Sequence, residues 1–131
     1  MTQNRQQIFK EGNTLAIIGL GLMGGSLALA LRRKMPEVRI VAWARRQEAI
    51  NQAMDSGMID AGSTDPSDVL PTADISVICL PIRPTIEFAQ ENADKWPQGA
   101  VVTDVGSVKG RVVQELDRCL QPRGAHFVGA H

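Results

Sequence analysis

The stretch Thr14-Leu15-Ala16-Ile17-Ile18-Gly19-Leu20-Gly21-Leu22-Met23-Gly24-Gly25-Ser26-Leu27 decides the fold. Thr14 to Ile18 has the apolar run of a short buried strand, a glycine-rich turn follows, and Ser26 to Arg33 reads as an apolar helix. The basic residues that end this helix suit the negative pole of its dipole. Between strand and helix, Gly19-x-Gly21-x-x-Gly24 takes the form of a dinucleotide fingerprint. Gly19 permits the tight turn, Gly21 lets the backbone approach a pyrophosphate, and Gly24 lets the helix pack closely on the strand. The N–H groups that open the helix then face the phosphates, where the dipole favours negative charge. The competing reading is a purely structural glycine turn, and the strand and helix on either side argue against it.

Working outward, strands and helices alternate along nearly the whole chain, a pattern that requires a parallel sheet covered by crossover helices. Strands are expected at Val38 to Trp43, Ile59 to Ala61, Ile75 to Leu80, Ala100 to Thr103 and His126 to Val128. Helices are expected at Gln47 to Ser56, closed by Gly57, at Pro84 to Ala93 with proline at its start, and at Val108 to Leu120. In the last of these, Val108, Val112, Val113, Leu116 and Leu120 fall on one stripe. The expected fold class is α/β, a Rossmann-type doubly wound parallel sheet in a single domain. Residues 1–13 form a polar tail and residues 14–131 the NAD(P)-binding domain.

Composition narrows the function. A chain of 131 residues has room for one domain and not two. Its 14 Lys and Arg balance 14 Asp and Glu, so bulk charge points to neither nucleic acid nor membrane as a partner. No apolar run reaches the length of a membrane span and the first residues lack a signal-peptide core, so the expected location is cytoplasmic. Cys79 and Cys119 lie far apart without metal-ligand spacing; both read as reduced core thiols, and no metal is expected.

The second strand sets the choice of cofactor. NAD-binding domains of this kind carry an acidic residue at its end for the ribose 2′-hydroxyl. Here Ala44 stands near that place and Arg45 and Arg46 follow. A 2′-phosphate needs cationic donors and is repelled by a carboxylate, so NADP is expected in preference to NAD. The alternative, two arginines merely opening a surface helix, is disfavoured because cations are unfavourable at a helix N-terminus. Leu22 and Met23, carried between the glycines, are further candidate cofactor-binding residues. So are Leu80, Pro81 and Ile82 at the carboxyl end of the central strand, and Gly106 one strand later. Ser107 follows Gly106 at a helix start, where serine is often only a cap. Of the two histidines, His126 reads as a surface residue, while His131 lies past the last strand, within reach of the cleft.

Taken together, the glycine loop with its Gly25-Ser26-Leu27, Cys79-Leu80-Pro81-Ile82, Val102-Thr103-Asp104-Val105-Gly106-Ser107-Val108-Lys109 and Phe127-Val128-Gly129-Ala130-His131 resemble the prephenate/arogenate dehydrogenase family of tyrosine biosynthesis. The resemblance covers almost the whole chain. It implies an oxidative decarboxylation of prephenate or arogenate, with His131 as general base on the ring hydroxyl and Ser107 orienting both partners. Family members continue into a helical domain that dimerises and supplies substrate-binding residues. That C-terminal domain is absent here, so the resemblance implies a cofactor domain ending at its catalytic histidine, a homodimer in the parent protein, and little activity from this chain alone. Two alternatives stay open: a non-catalytic NADP-binding module, and an oxidoreductase related to the β-hydroxyacid dehydrogenases.

Overall fold

The computed structural model describes residues 13–105 and 111–129. Along the chain run β1 (Thr14–Ile18), α1 (Leu22–Lys34), β2 (Arg39–Trp43), α2 (Gln47–Asp55), β3 (Ala61–Ser63) and α3 (Pro66–Val69), which passes into a 3₁₀ turn (Leu70–Thr72). Then come β4 (Ile75–Ile78), α4 (Ile82–Asn92), β5 (Val101–Asp104), α5 (Arg111–Leu120) and β6 (His126–Gly129). The strands form one sheet in the order β3-β2-β1-β4-β5-β6, and every pairing is parallel. This is the doubly wound order of the Rossmann fold. The chain builds outward from β1 in one direction, returns, and builds outward from β4 in the other. The connections leaving β1 and β4 therefore diverge, and a crevice opens above their carboxyl ends.

Side-chain alternation divides β1 between two cores. Leu15 and Ile17 pack with Ala28 of α1 and with Ile50 and Ala53 of α2. Ala16 and Ile18 pack on the other face with Phe88 and Ala89 of α4 and with Leu116 and Leu120 of α5. β4 is buried along its whole length, as a central strand covered on both faces should be.

The elements differ from the sequence expectations in ways that packing explains. α1 begins at Leu22, four residues before the expected Ser26, because Gly24, a poor helix former in isolation, is held helical by close contact with the β1 turn. α4 begins at Ile82 and not at Pro84; proline fits as its third residue because first-turn N–H groups have no intrahelical partner to lose. Ile59, expected to open β3, is instead a buried plug before it. The α3 segment was not anticipated, although Asp65-Pro66 is a readable helix start: Asp65 Oδ1 accepts from the Ser67 amide at 2.9 Å. Both cysteines are free thiols as expected, but each is only half-buried. His126 is exposed.

Asp60 ties three elements together. Its Oδ2 accepts from Arg32 of α1 at 2.7 Å and from the Ile40 amide of β2 at 2.9 Å, just ahead of β3. Partial burial works to raise its carboxyl, but the Arg32 and Ile40 hydrogen bonds and the charges of Arg32 and Arg39 outweigh it, so it sits below the ordinary aspartate range. A lowered folded value stabilises the fold above the unfolded aspartate range, and that contribution is lost as pH falls through the folded value. Asp60→Asn is expected to cost about 1 kcal/mol at pH 7, mostly from a weakened bond to the Ile40 amide, since an ion pair this exposed is screened. Urea unfolding at pH 7 and near pH 2.5 checks this: the deficit should shrink at the lower pH.

Candidate coenzyme site

The glycine turn assigns a different physical task to each glycine. Gly19 has φ +102°, and a Cβ there would lie 2.9 Å from the Cys79 carbonyl oxygen. Its amide donates to the Trp43 carbonyl at 2.8 Å, which fixes the end of β1 against the end of β2. At Gly24 a Cβ would collide with the Gly19 carbonyl oxygen. Gly21 is the contrast. Among the described residues a Cβ there would meet nothing within 4 Å, so no contact with them requires glycine at this position.

Gly21 is also the N-cap of α1, and no described side chain caps that end. The first turn holds no acidic residue, whereas Arg32, Arg33 and Lys34 crowd the last turn. The positive pole is therefore open to an anion, and no carboxylate of its own first turn competes for it. Leu22 (88% exposed) and Met23 (59%) stand at this helix start, and Ile82 (48%) stands at the start of α4 across the crevice. The three present apolar surface above the junction of β1 and β4.

A groove of about 320 Å³ runs from this turn. Gly19, Leu20 and Gly21 form one wall, Ala44, Arg45 and Arg46 after β2 another, and Cys79, Leu80 and Pro81 after β4 a third. The structure thus brings together three segments that are far apart in sequence and were each singled out there. The Ala44 side chain is buried and small, and Arg45 and Arg46 are exposed. Neither arginine forms an ion pair with a described residue. Open space at Gly21 and a helix start that no described side chain caps fit the diphosphate of a dinucleotide, and two guanidinium groups stand beside it at the end of β2. Gly106, Ser107 and His131 lie outside the described residues.

Sequence reasoning missed two groups. Cys79, read as core, lines the groove; burial, and then the nearby Asp104 carboxylate, push its thiol up to about 11, so it stays protonated at neutral pH. Trp43 was read only as a strand end, yet it lines this groove and a second, larger one of about 610 Å³. The two grooves share Trp43, Arg45 and Leu80. The larger lies between Trp43 and Arg45 at the end of β2, Asp65 and Pro66 at the start of α3, and Phe88 and Asn92 of α4. Nothing local in the sequence announces that.

Among the described residues no helix is long and apolar enough to cross a membrane, and no cluster of potential metal ligands occurs.

The family model described as prephenate dehydrogenase, nucleotide-binding domain, matches residues 27–131. The Bacillus subtilis prephenate dehydrogenase is 33% identical over 120 residues, covering 91% of this chain and 32% of that protein. Among solved structures, prephenate dehydrogenase from A. aeolicus in complex with hydroxyphenyl propionate and NAD+ superposes with a TM-score of 0.81 at 35% identity, covering 93% of this chain and 42% of that one. Synechocystis arogenate dehydrogenase gives 0.80 at 30% identity, covering 90% and 40%. The chain spans about a third of the length of the curated relatives it matches. With the sheet order, the glycine turn and the family match in agreement, the chain belongs to the prephenate dehydrogenase nucleotide-binding-domain family.

Proposed function

We infer that this chain is the coenzyme-binding part of a dehydrogenase that oxidatively decarboxylates prephenate or arogenate, and that it takes NADP in preference to NAD. The observation that carries the coenzyme reading is the open space at Gly21 in front of an uncapped α1. The preference rests on Ala44, Arg45 and Arg46: the groove has no carboxylate at the end of β2 and two cations beside it. A solved relative carries NAD+, so the NADP reading rests on these residues and not on the fold.

In this reading the first-turn amides of α1, with Gly19, Gly21 and Gly24 shaping the turn, hold the diphosphate. Leu22, Met23, Leu80, Pro81, Ile82 and Gly106 shape the crevice and keep water from the nicotinamide end. The bound coenzyme supplies a hydride acceptor. His131 takes the proton of the ring hydroxyl, a task suited to a neutral imidazole with an ordinary pKa of about 6.5, and Ser107 orients it. The remaining two thirds of the relatives' length supplies the rest of the substrate site and a dimer contact.

Calorimetric titration of the chain with NADP and NAD tests the coenzyme assignment. NADP is expected to bind about tenfold or more tightly, as charge-assisted hydrogen bonds to a phosphate warrant, and equal affinities overturn the preference. For the chemistry, His131→Asn in a protein of the relatives' full length is expected to lower kcat by about 100-fold or more with little change in coenzyme affinity. Near-normal turnover removes His131 from the base role.

A further inference from the structure

Resting on the reading above that this chain works joined to the remaining two thirds of the relatives' length, we propose that one face of the sheet over β4, β5 and β6, beside α1, is a docking surface for a single apolar helix of that remaining part. The strand register shows the face, because neighbouring residues in register across a parallel sheet point the same way. Ile17, Val77, Thr103 and Val128 form one such row, and Leu15, Ile75, Val101 and His126 a second. Along the first, Ile17 is fully buried and Val77 is 8% exposed, Thr103 is half-buried, and Val128 is 55% exposed. Along the second, Leu15 and Ile75 are buried, Val101 is half-buried and His126 is exposed. The opposite face stays covered: Ala16, Ser76 and Val102 are fully buried, and Phe127 in the same row packs against the core that holds Leu116 and Leu120. The cause is topological. α1 and α2 pack on the first face around β1 and β2, while α4 and α5 pack on the other, so among the described residues no helix lies on the first face beyond β4.

Parallel sheets are built with both faces covered, and a contiguous bare apolar patch marks a contact site. The flank of α1 completes this one. Arg32 reaches across to Asp60 ahead of β3, so the positions about half a turn round the helix, Met23, Leu27 and Ala30, face the β4 side. Met23 is 59% exposed, Leu27 is half-buried and Ala30 is exposed. Size selects the occupant. From β4 to β6 is two strand spacings, about 9.6 Å, and a helix is about 10 Å across, so one helix fits beside α1. Strands of four residues run about 13 Å, which gives a footprint of roughly 130 Å² against the roughly 800 Å² per partner of a stable complex between separate chains. A second copy of the chain gains too little there. A helix of the same polypeptide needs no such area, because the linkage holds it at high effective concentration. This chain spans about a third of the curated relatives' length, so the length to supply that helix exists.

The test is thiol protection in Val128→Cys, compared between this chain and a protein of the relatives' full length by maleimide labelling with peptide mapping, which separates the new thiol from Cys79 and Cys119. The new thiol is expected to label in the chain like any exposed cysteine, and about tenfold or more slowly in the longer protein. Val128→Lys should leave the chain's melting temperature within about 1 °C and lower that of the longer protein by about 3 °C or more, since only there is the charge buried. Equal labelling of the two proteins overturns the proposal, as does slow labelling in this chain, which would mean that its own residues cover the face. A dimer of this chain in sedimentation equilibrium that Val128→Lys dissociates also overturns it, by giving the face to a second copy. If the longer Val128→Lys protein does not fold, the labelling of Val128→Cys still decides. NADP titration of the same proteins keeps the two readings apart: binding without protection overturns the docking surface alone, and protection without binding overturns the coenzyme reading alone.

Discussion

Gly24→Ala is expected to cost the fold about 3 kcal/mol, whereas Gly21→Val is expected to spare the fold and weaken coenzyme binding about 100-fold or more. The difference follows from what each new side chain would meet. At position 24 the added methyl runs into the Gly19 carbonyl oxygen, and Gly19 cannot retreat: it is held at φ +102° with its amide bonded to Trp43 and with Cys79 behind it. The clash is with main chain on both sides, so α1 must lift from β1, and for a domain this size the melting temperature should fall by about 10 °C. Position 21 has φ −71° and ψ −161°, an extended conformation that valine adopts readily, and no atom of the described residues lies within reach of the new Cβ. The space valine fills is the space the diphosphate needs. Thermal melts and coenzyme titrations of the two variants separate the roles. A Gly21→Val protein that binds NADP normally would falsify the cradle.

The second large effect is a reversal of coenzyme choice. Arg45→Ala should weaken NADP about tenfold to 30-fold and leave NAD nearly unchanged, because only NADP has a phosphate for that guanidinium to meet. Adding Ala44→Asp should go further and make NAD the preferred ligand. Ala44 lines the groove at the end of β2, where a carboxylate would accept from the ribose hydroxyls and repel a 2′-phosphate. Calorimetry with both coenzymes on the single and double variants provides the readout, with a melt to confirm that the buried position tolerates the carboxylate. Equal loss of both coenzymes in Arg45→Ala would show that the arginine serves the common part of the dinucleotide, and the NADP assignment would fall.

Much of this was legible along the chain. Alternating apolar runs and punctuating Gly and Pro residues announce β1, β2 and β4 and the helices between them, because burial on both faces of a parallel sheet leaves a continuous apolar signal. Ala44, Arg45 and Arg46 could be read for the same reason: their meaning depends on position after one strand. Helix starts were harder. α1 begins four residues early because tertiary contact at Gly24 overrides a local preference against helix, and α4 begins two residues early because a proline is harmless in a first turn.

By itself, then, the sequence determined the parallel sheet, the glycine turn at its switch point and the sign of charge beside it, since each is carried by neighbouring residues. Only the tertiary structure decided which glycine is structural and which faces open space, and that Cys79 lines a groove. It alone brought Trp43 of β2 against Phe88 of α4, a turn away from Asn92. Those pairings join residues about 45 positions apart along the chain, and no local pattern encodes a long-range contact of that kind.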